Sequence, residues 1–423
     1  MKKIVIIGAG AAGMMAGVLL GMKGLHVTIY EKNERLGKKL YITGKGRCNF
    51  TNDCSRDEFL AAMVSNPRFM YSALDTLDPQ GVIAMFESWG LKTKVERGRR
   101  AFPASDKSAD VLDMFRRQLK KNRVEVVLNA EVRELILEDG RAQGVKVMVD
   151  GEEKTVKADA VIVATGGLSY PSTGSTGDGY RFAREAGLKV TDTRPSLVSL
   201  VCAEEYCKEL QGLSLKNVAL HIKSGKKEVY SEFGEMLFTH YGITGPLVLT
   251  ASARVGGMIG AKPLTTWIDL KPAVQEETLD ARLVRIFEEN KNKTLRNVLG
   301  ELYPSKMIPV IPALAGVDGE KKVHDVSKKE REALVRVTKH MPLTLTSLRP
   351  YNEAVVTQGG VAVKEVSPAT MESKKVEDLY FIGEVLDLDA VTGGFNLQIA
   401  WSTAAVCAAA VLEKTEVEDG WES

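Results

Sequence analysis

Cysteine is scarce in this chain, with five in 423 residues. So few, and an odd number, build no disulfide framework and suit a reducing cytosol better than a secreted setting. No uninterrupted run of about 18 apolar residues occurs, which argues against a membrane-spanning helix and leaves no membrane partner expected. Neither sign of charge dominates: 57 Lys+Arg stand against 55 Asp+Glu, a net charge of +2. A dedicated nucleic-acid binder rests its affinity on a basic face, so no nucleic-acid partner is expected. The histidines and cysteines form no H-x-x-H or C-x-x-C cluster, and no metal site is expected. What remains is the composition of a globular protein, 44% hydrophobic and 26% charged, which excludes a disordered or fibrous chain. At ~150 residues per domain the length implies two or three domains.

Met1-Lys2-Lys3 and the apolar run after it imitate the start of a secretory signal. The glycine spacing favours a different reading, and with it a cytoplasmic protein. Residues 3–7 are a β-branched run suited to a central parallel strand. They lead into Gly8-Ala9-Gly10-Ala11-Ala12-Gly13, a G-x-G-x-x-G turn, and then into a helical stretch to about Lys23. Gly8 permits the tight turn, Gly10 lets the backbone approach a pyrophosphate, and Gly13 allows helix to pack on strand. A second strand, residues 26–30, ends at Glu31-Lys32. A carboxylate at Glu31 accepts from both ribose hydroxyls and disfavours a 2′-phosphate.

Both FAD and NAD carry such an adenylate, and later segments choose between them. Arg35-Leu36-Gly37-Lys38-Lys39 resembles the R-x-G-G-R segment of glutathione-reductase-type and amine-oxidase-type flavoproteins, with Lys38 in place of the second glycine. The resemblance gives Lys39 the part of the basic residue that reaches the cofactor phosphates. Residues 161–167 read as a buried strand ending in an A-T-G turn, Ala164-Thr165-Gly166. In those flavoproteins that turn returns the chain to the dinucleotide. Residues 379–384 form another apolar strand, ending at Gly383-Glu384. In FAD folds this acid accepts hydrogen bonds from the ribitol, a group NAD lacks. Gly394, Phe395 and Asn396 then open an Ala-rich helix whose N–H groups would face the flavin's pyrimidine edge. Between these segments, runs at 132–137, 142–149 and 154–156 are separated by acid-Gly turns and read as a β-meander. In such folds Val132 would hold the adenine edge.

Two further stretches narrow the family. Residues 37–52, GKKLYITGKGRCNFTN, resemble the G-x-K-L-x-x-S/T-G-x-G-R-C-N-x-T-N signature of BaiN/YhiN-like flavoproteins. Residues 234–246, GEMLFTHYGITGP, resemble the G-E-x-L-F-T-H-x-G-x-S/T-G-P of the same family. Members carry labels such as aminoacetone-oxidase-like or NAD(P)/FAD-dependent oxidoreductase, and one branch reduces dehydro bile acids. In this chain the loop 43–49 holds two cations, Lys45 and Arg47. With Gly46 and Asn49 it could wrap a pyrophosphate in backbone N–H groups. Cys48 is either a redox partner of the flavin or a small hydrophobe filling space beside it.

The expected architecture is α/β: a Rossmann-like FAD-binding domain of glutathione-reductase type with an inserted β-barrel plus helical domain. The FAD domain is expected over 1–194 and 345–423, a β-rich insertion over 195–272 and a helical one over 273–344. Short β runs are read at 218–222, 247–249 and 265–268, and helices at 276–290, 295–302 and 328–340. His240 and Tyr241, on a loop of the insertion, are the proton-transfer candidates. The expected activity is hydride exchange between FAD and a small organic substrate. With no second glycine fingerprint, NAD(P)H as the reductant would act as a transient co-substrate, and the alternative is that oxygen or another acceptor closes the cycle. The rival readings are a flavin-dependent tRNA-modifying enzyme and a flavin-binding sensor or scaffold without turnover.

Overall fold

Lys3–Ile7 buries four of its five side chains and forms β1, the middle strand of a five-stranded parallel sheet. Its neighbours are β2 (His26–Tyr30), β3 (Glu125–Val127), β4 (Ala160–Val163) and β5 (Leu379–Phe381), in the order β5-β4-β1-β2-β3. Strands buried on both faces read as near-continuous apolar runs, which is why β1 and β4 carry so much Val and Ile. Helix α1 (Ala11–Gly21) is apolar almost all round. It is accordingly enclosed by neighbours rather than half-exposed. The computed structural model describes residues 2–419.

The meander stands as Ala130–Glu138, Arg141–Val149 and Glu152–Lys157, antiparallel throughout. Asp139-Gly140 and Asp150-Gly151 both take positive φ, the geometry of a type I′ hairpin. The last helix, α4 (Phe395–Asp419), is long and apolar enough to cross a membrane by length and composition, but 72% of its apolar window is buried inside the fold. Its Trp401 is wholly buried and donates its indole N–H to the Phe50 carbonyl at 2.8 Å.

The chain divides into two units, each with its own hydrophobic core. Residues up to Ser196 and from Tyr351 onward form one, and Leu197–Pro350 form the other. This corrects the expected boundaries. Leu345–Leu348 pairs with Leu200–Cys202 in the inserted sheet, so the nucleotide unit resumes at 351 rather than 345. The insertion is also one body rather than a β part and a helical part. Leu279, Leu283 and Leu334 from the helices share a core with Leu220 and Ile268 from the strands. Its seven-stranded sheet turns back on itself. The segment 341–348 pairs through Met341–Leu343 with Leu264–Asp269 and through Leu345–Leu348 with Leu200–Cys202. Residues 247–249 are helical, not extended, because Gly245-Pro246 starts the helix Pro246–Val255 with proline in its first turn.

A buried acid in the first unit yields a pH prediction. Asp389 is fully buried, and its Oδ2 accepts from Gln358 Nε2 at 3.0 Å. Burial pushes its carboxyl up to about 6; Asp387 adds to the rise, while Ser65, Gln358 and Ser196 oppose it. The folded state therefore holds this proton more tightly than the unfolded state. Its contribution to stability is present at low pH and is lost as pH rises from about 4 through 6. Asp389→Asn should flatten that slope and gain on the order of 2 kcal/mol relative to wild type at pH 8. Urea unfolding at pH 5 and pH 8 checks it; parallel pH slopes would contradict a buried acid.

Candidate active site

The cleft in the first unit is shaped by backbone before any side chain enters. Gly8 has φ +105, and a Cβ there would stand 2.7 Å from the Ala164 carbonyl oxygen. A Cβ on Gly13 would fall 1.9 Å from the Gly8 oxygen. The turn thus presses α1 onto β1 and β4. Gly10 differs: its Cβ would meet nothing within 4 Å. Gly10, Ala11 and Ala12 line the cleft, and Gly13 lies beneath them. The first-turn N–H groups of α1 have no carbonyl a turn earlier to receive them, which makes this rim suited to an anion.

Glu31 and Lys32 line the same cleft at the end of β2, as does Val132 from the meander. The Glu31 carboxylate is buried. Oε2 accepts from Ala9 N at 2.8 Å, and Oε1 accepts from Asn33 N at 2.9 Å and Asn33 Nδ2 at 2.6 Å. Lys32 Nζ is held by Asp178 Oδ2 at 2.5 Å, at the start of α3 (Asp178–Glu185), and by Thr176.

Thr165, Gly166 and Glu384 line the cleft, with Gly383 just before Glu384. Lys39, from α2 (Lys38–Ile42), donates to Glu384 Oε2 at 2.6 Å and to Ser169 Oγ at 2.5 Å. Glu384 Oε1 accepts from Ser169 Oγ at 2.9 Å and from Thr357 N at 2.9 Å. Thr357 Oγ1 in turn accepts from the N–H groups of Leu168 and Ser169. Lys39 and Glu384, which sequence reading gave to separate parts of a cofactor, are therefore an ion pair. Ser169 and Thr357 were not singled out. Their only sequence signals are their places just after the A-T-G turn and just before Gln358-Gly359-Gly360.

The loop 43–49 is placed differently from expectation. Arg47 Nε donates to Asp106 at 2.8 Å and its Nη2 to Glu96 at 2.6 Å, and the guanidinium lies 4.2 Å from the Phe102 ring centroid. Its charge is thus engaged by two carboxylates, and Gly46, Arg47, Cys48 and Asn49 do not line the cleft. Cys48 is fully buried and burial pushes its thiol up to about 12, so it stays protonated and a poor nucleophile at neutral pH. Cys48→Ser should retain flavin and lose no more than about 2 kcal/mol of stability. Loss of all turnover with flavin still bound would instead make it a redox partner.

Asn396 lines the cleft, yet its amide is used locally. It accepts from Ala390 N at 3.0 Å and donates to the Ala390 carbonyl at 2.9 Å, tying the loop to the start of α4. Gly394 and Phe395 sit at that helix start, outside the lining, with Gly394 against the Thr51 carbonyl. His240 and Tyr241 lie in the inserted unit on the turn from Lys227–Thr239 to Gly242–Thr244. Their rings meet edge-on at 4.9 Å, and Arg349 lies 4.3 Å from the Tyr241 ring centroid. Among the described residues no group of three His, Cys, Asp or Glu could hold a metal ion.

The profile of the HI0933-like protein Rossmann domain matches residues 2–410. The chain belongs to this family. It is 31% identical over 98% of its length to the 3-dehydro-bile acid delta(4,6)-reductase of Clostridium scindens, covering 100% of that protein. It is 32% identical to the ribosomal RNA dihydrouridine synthase of Escherichia coli, over 96% of each chain. A solved 3-ketosteroid delta1-dehydrogenase from Sterolibacterium denitrificans shares the fold, with a TM-score of 0.54 at 14% identity over 98% of this chain and 100% of that one. This HI0933-like chain is accordingly a Rossmann-fold flavoprotein and a flavin-dependent oxidoreductase.

The residues present fit FAD on their own chemistry. Gly10 leaves open space where a pyrophosphate must pass close to backbone, and a buried carboxylate stands at the ribose end. Glu31 and Val132 would hold the adenosine of FAD, and the Lys39–Glu384 pair the pyrophosphate and ribitol.

Proposed function

We propose that this protein is an FAD-dependent reductase that saturates a carbon–carbon double bond conjugated to a carbonyl in a small organic substrate. NAD(P)H serves as the transient reductant. The observation that carries this reading is the full-length similarity to relatives named for such reductions. One is named for reduction at the 4,6 positions of a 3-dehydro bile acid, the other for turning uridine into dihydrouridine. In both, the bond named is conjugated to a carbonyl.

Bound FAD supplies hydride transfer. The chain supplies grip, orientation and proton handling. Glu31 and the α1 terminus hold the adenylate, and the Lys39–Glu384 pair orients the chain that leads to the flavin. His240 and Tyr241 are the proposed proton-transfer groups, adjacent on one turn. Only one G-x-G-x-x-G is present, which supports NAD(P)H as a visitor rather than the occupant of a second domain. Five free thiols support a cytoplasmic location.

A second reading, a uridine of ribosomal RNA as the substrate, is favoured by two relatives of 32% identity. It needs a nucleic-acid partner, against which the near-neutral charge weighs. Anaerobic bleaching of bound flavin by NADH or NADPH, followed by reoxidation with a panel of enones, ketones, amines and ribosomal RNA, separates them. The first reading expects reoxidation by a 3-oxo-diene or simple enone. Turnover of RNA uridine alone, gaining two hydrogens by mass, would replace it with the second. Amine oxidation without enone reduction would overturn both, and no response to any reagent would leave a flavin-binding sensor.

A further inference from the structure

The adenylate cleft disfavours one kind of nucleotide. A buried carboxylate, Glu31, stands where a 2′-phosphate would have to sit. Elsewhere in the same unit the chain makes the opposite arrangement. Strands Thr93–Glu96 and Arg100–Pro103 pair antiparallel with Glu96 opposite Arg100, so Arg97-Gly98-Arg99 forms the turn between them. Arg97, Arg99 and Arg100 are all exposed.

This arginine tip is fixed beside the opening of α4. Asn52 Nδ2 donates to the carbonyls of Gly98 and Gly393 at 3.0 Å each, which bridges the turn to the residues leading into that helix. Asp53 N donates to the Arg99 carbonyl at 2.7 Å. Gly98 takes φ +76 and Arg99 φ +56, so an arginine occupies a left-handed position that glycine or asparagine fills with less strain. Glu96, next to the turn, is taken by Arg47 at 2.6 Å and Lys94 at 3.4 Å, and Glu58 pairs with Arg99. Arg100 Nε donates to the Arg97 carbonyl at 3.1 Å. Among the described residues neither Arg97 nor Arg100 has an ion pair.

Two solvent-open guanidinium groups on either side of Gly98, with no carboxylate to neutralise them, suit a phosphate monoester. Such a group carries about −1.5 to −2 charges at neutral pH, and arginine's planar fork of N–H donors matches its oxygens. The opening of α4 is also where the helix N–H groups would face the flavin, so a dinucleotide gripped at the tip has its remaining length beside the ring it reduces. We propose, resting on the reading of NAD(P)H as transient reductant, that the arginine tip binds the 2′-phosphate of NADPH and makes NADPH rather than NADH the reductant. NADPH gives one hydride to the flavin and leaves as NADP⁺, so the arginines only bind.

The test uses the full-length protein with FAD bound, so that the adenylate cleft is filled. Calorimetry with 2′,5′-ADP and 5′-AMP, which differ by the 2′-phosphate alone, reads binding without turnover. Anaerobic flavin bleaching by NADPH and NADH reads half-saturation. Wild type should prefer 2′,5′-ADP over 5′-AMP, and NADPH over NADH, by about tenfold or more. Arg97→Ala/Arg100→Ala should bring each pair within about twofold, with bound-flavin absorbance and a melting curve reporting that the fold is kept. Equal binding within each pair by wild type overturns the proposal and needs no variant. A variant that keeps the preference overturns it too, since the phosphate would then sit elsewhere. So does a variant that loses retention on ribosomal RNA while keeping its preference for NADPH, which assigns the tip to an RNA backbone. Bleaching by dithionite but by neither nicotinamide cofactor is a different result: it removes the transient-reductant reading, and the proposal with it.

Discussion

Glu31→Ala should raise the FAD dissociation constant by roughly 100-fold, the loss of charged hydrogen bonds to a ribose. It should also lower the melting temperature. The carboxylate receives the Ala9 N–H at 2.8 Å, buried, and two donors of Asn33, partly buried. Removing it strands a buried N–H in the glycine turn, which costs about 1–3 kcal/mol. Glu31→Gln keeps an acceptor for Ala9 and should lose less stability while still losing affinity. Flavin content of the purified variants, with their melting curves, reads both effects. A Glu31→Ala protein that retains a full complement of FAD would remove the ribose assignment.

Gly13→Ala and Gly10→Ala should fail in opposite ways. At Gly13 the added carbon would sit 1.9 Å from the Gly8 oxygen, so α1 must lift from the turn. Overpacking of backbone against backbone costs about 3 kcal/mol or more, and the soluble yield should fall with the flavin content. At Gly10 the backbone is extended, at φ −80 and ψ −168, and the added carbon meets nothing within 4 Å. That variant should melt within about 1 kcal/mol of wild type yet lose FAD, because the methyl occupies the approach of the pyrophosphate. Circular dichroism melts and bound-flavin absorbance distinguish the pair. Retention of FAD by Gly10→Ala would place the phosphates elsewhere.

The nucleotide half was legible because its signals are local. A β-branched run, a glycine turn and an apolar helix each state a backbone requirement within a few residues, and Asp139-Gly140 and Asp150-Gly151 state a hairpin in two. The partners of side chains were not legible. Glu384 meets Lys39, Ser169 and Thr357 across separations of 345, 215 and 27 residues. Arg47 looked like a phosphate ligand by spacing, and the fold gave it Glu96 and Asp106 instead. Nothing in a linear pattern says which carboxylate will stand opposite a cation.

Read along the chain, composition and spacing establish a Rossmann-type nucleotide unit, its adenylate-binding rim and an insertion of mixed structure. The folded chain adds that the insertion is a single body reaching Pro350, that Lys39 and Glu384 are partners, and that Asn52 ties the Arg97-Gly98-Arg99 turn to the opening of α4. The difference has one physical origin. Backbone conformation follows from the steric and hydrogen-bonding preferences of neighbouring residues, whereas the pairing and burial of polar side chains depend on which distant segments packing brings together.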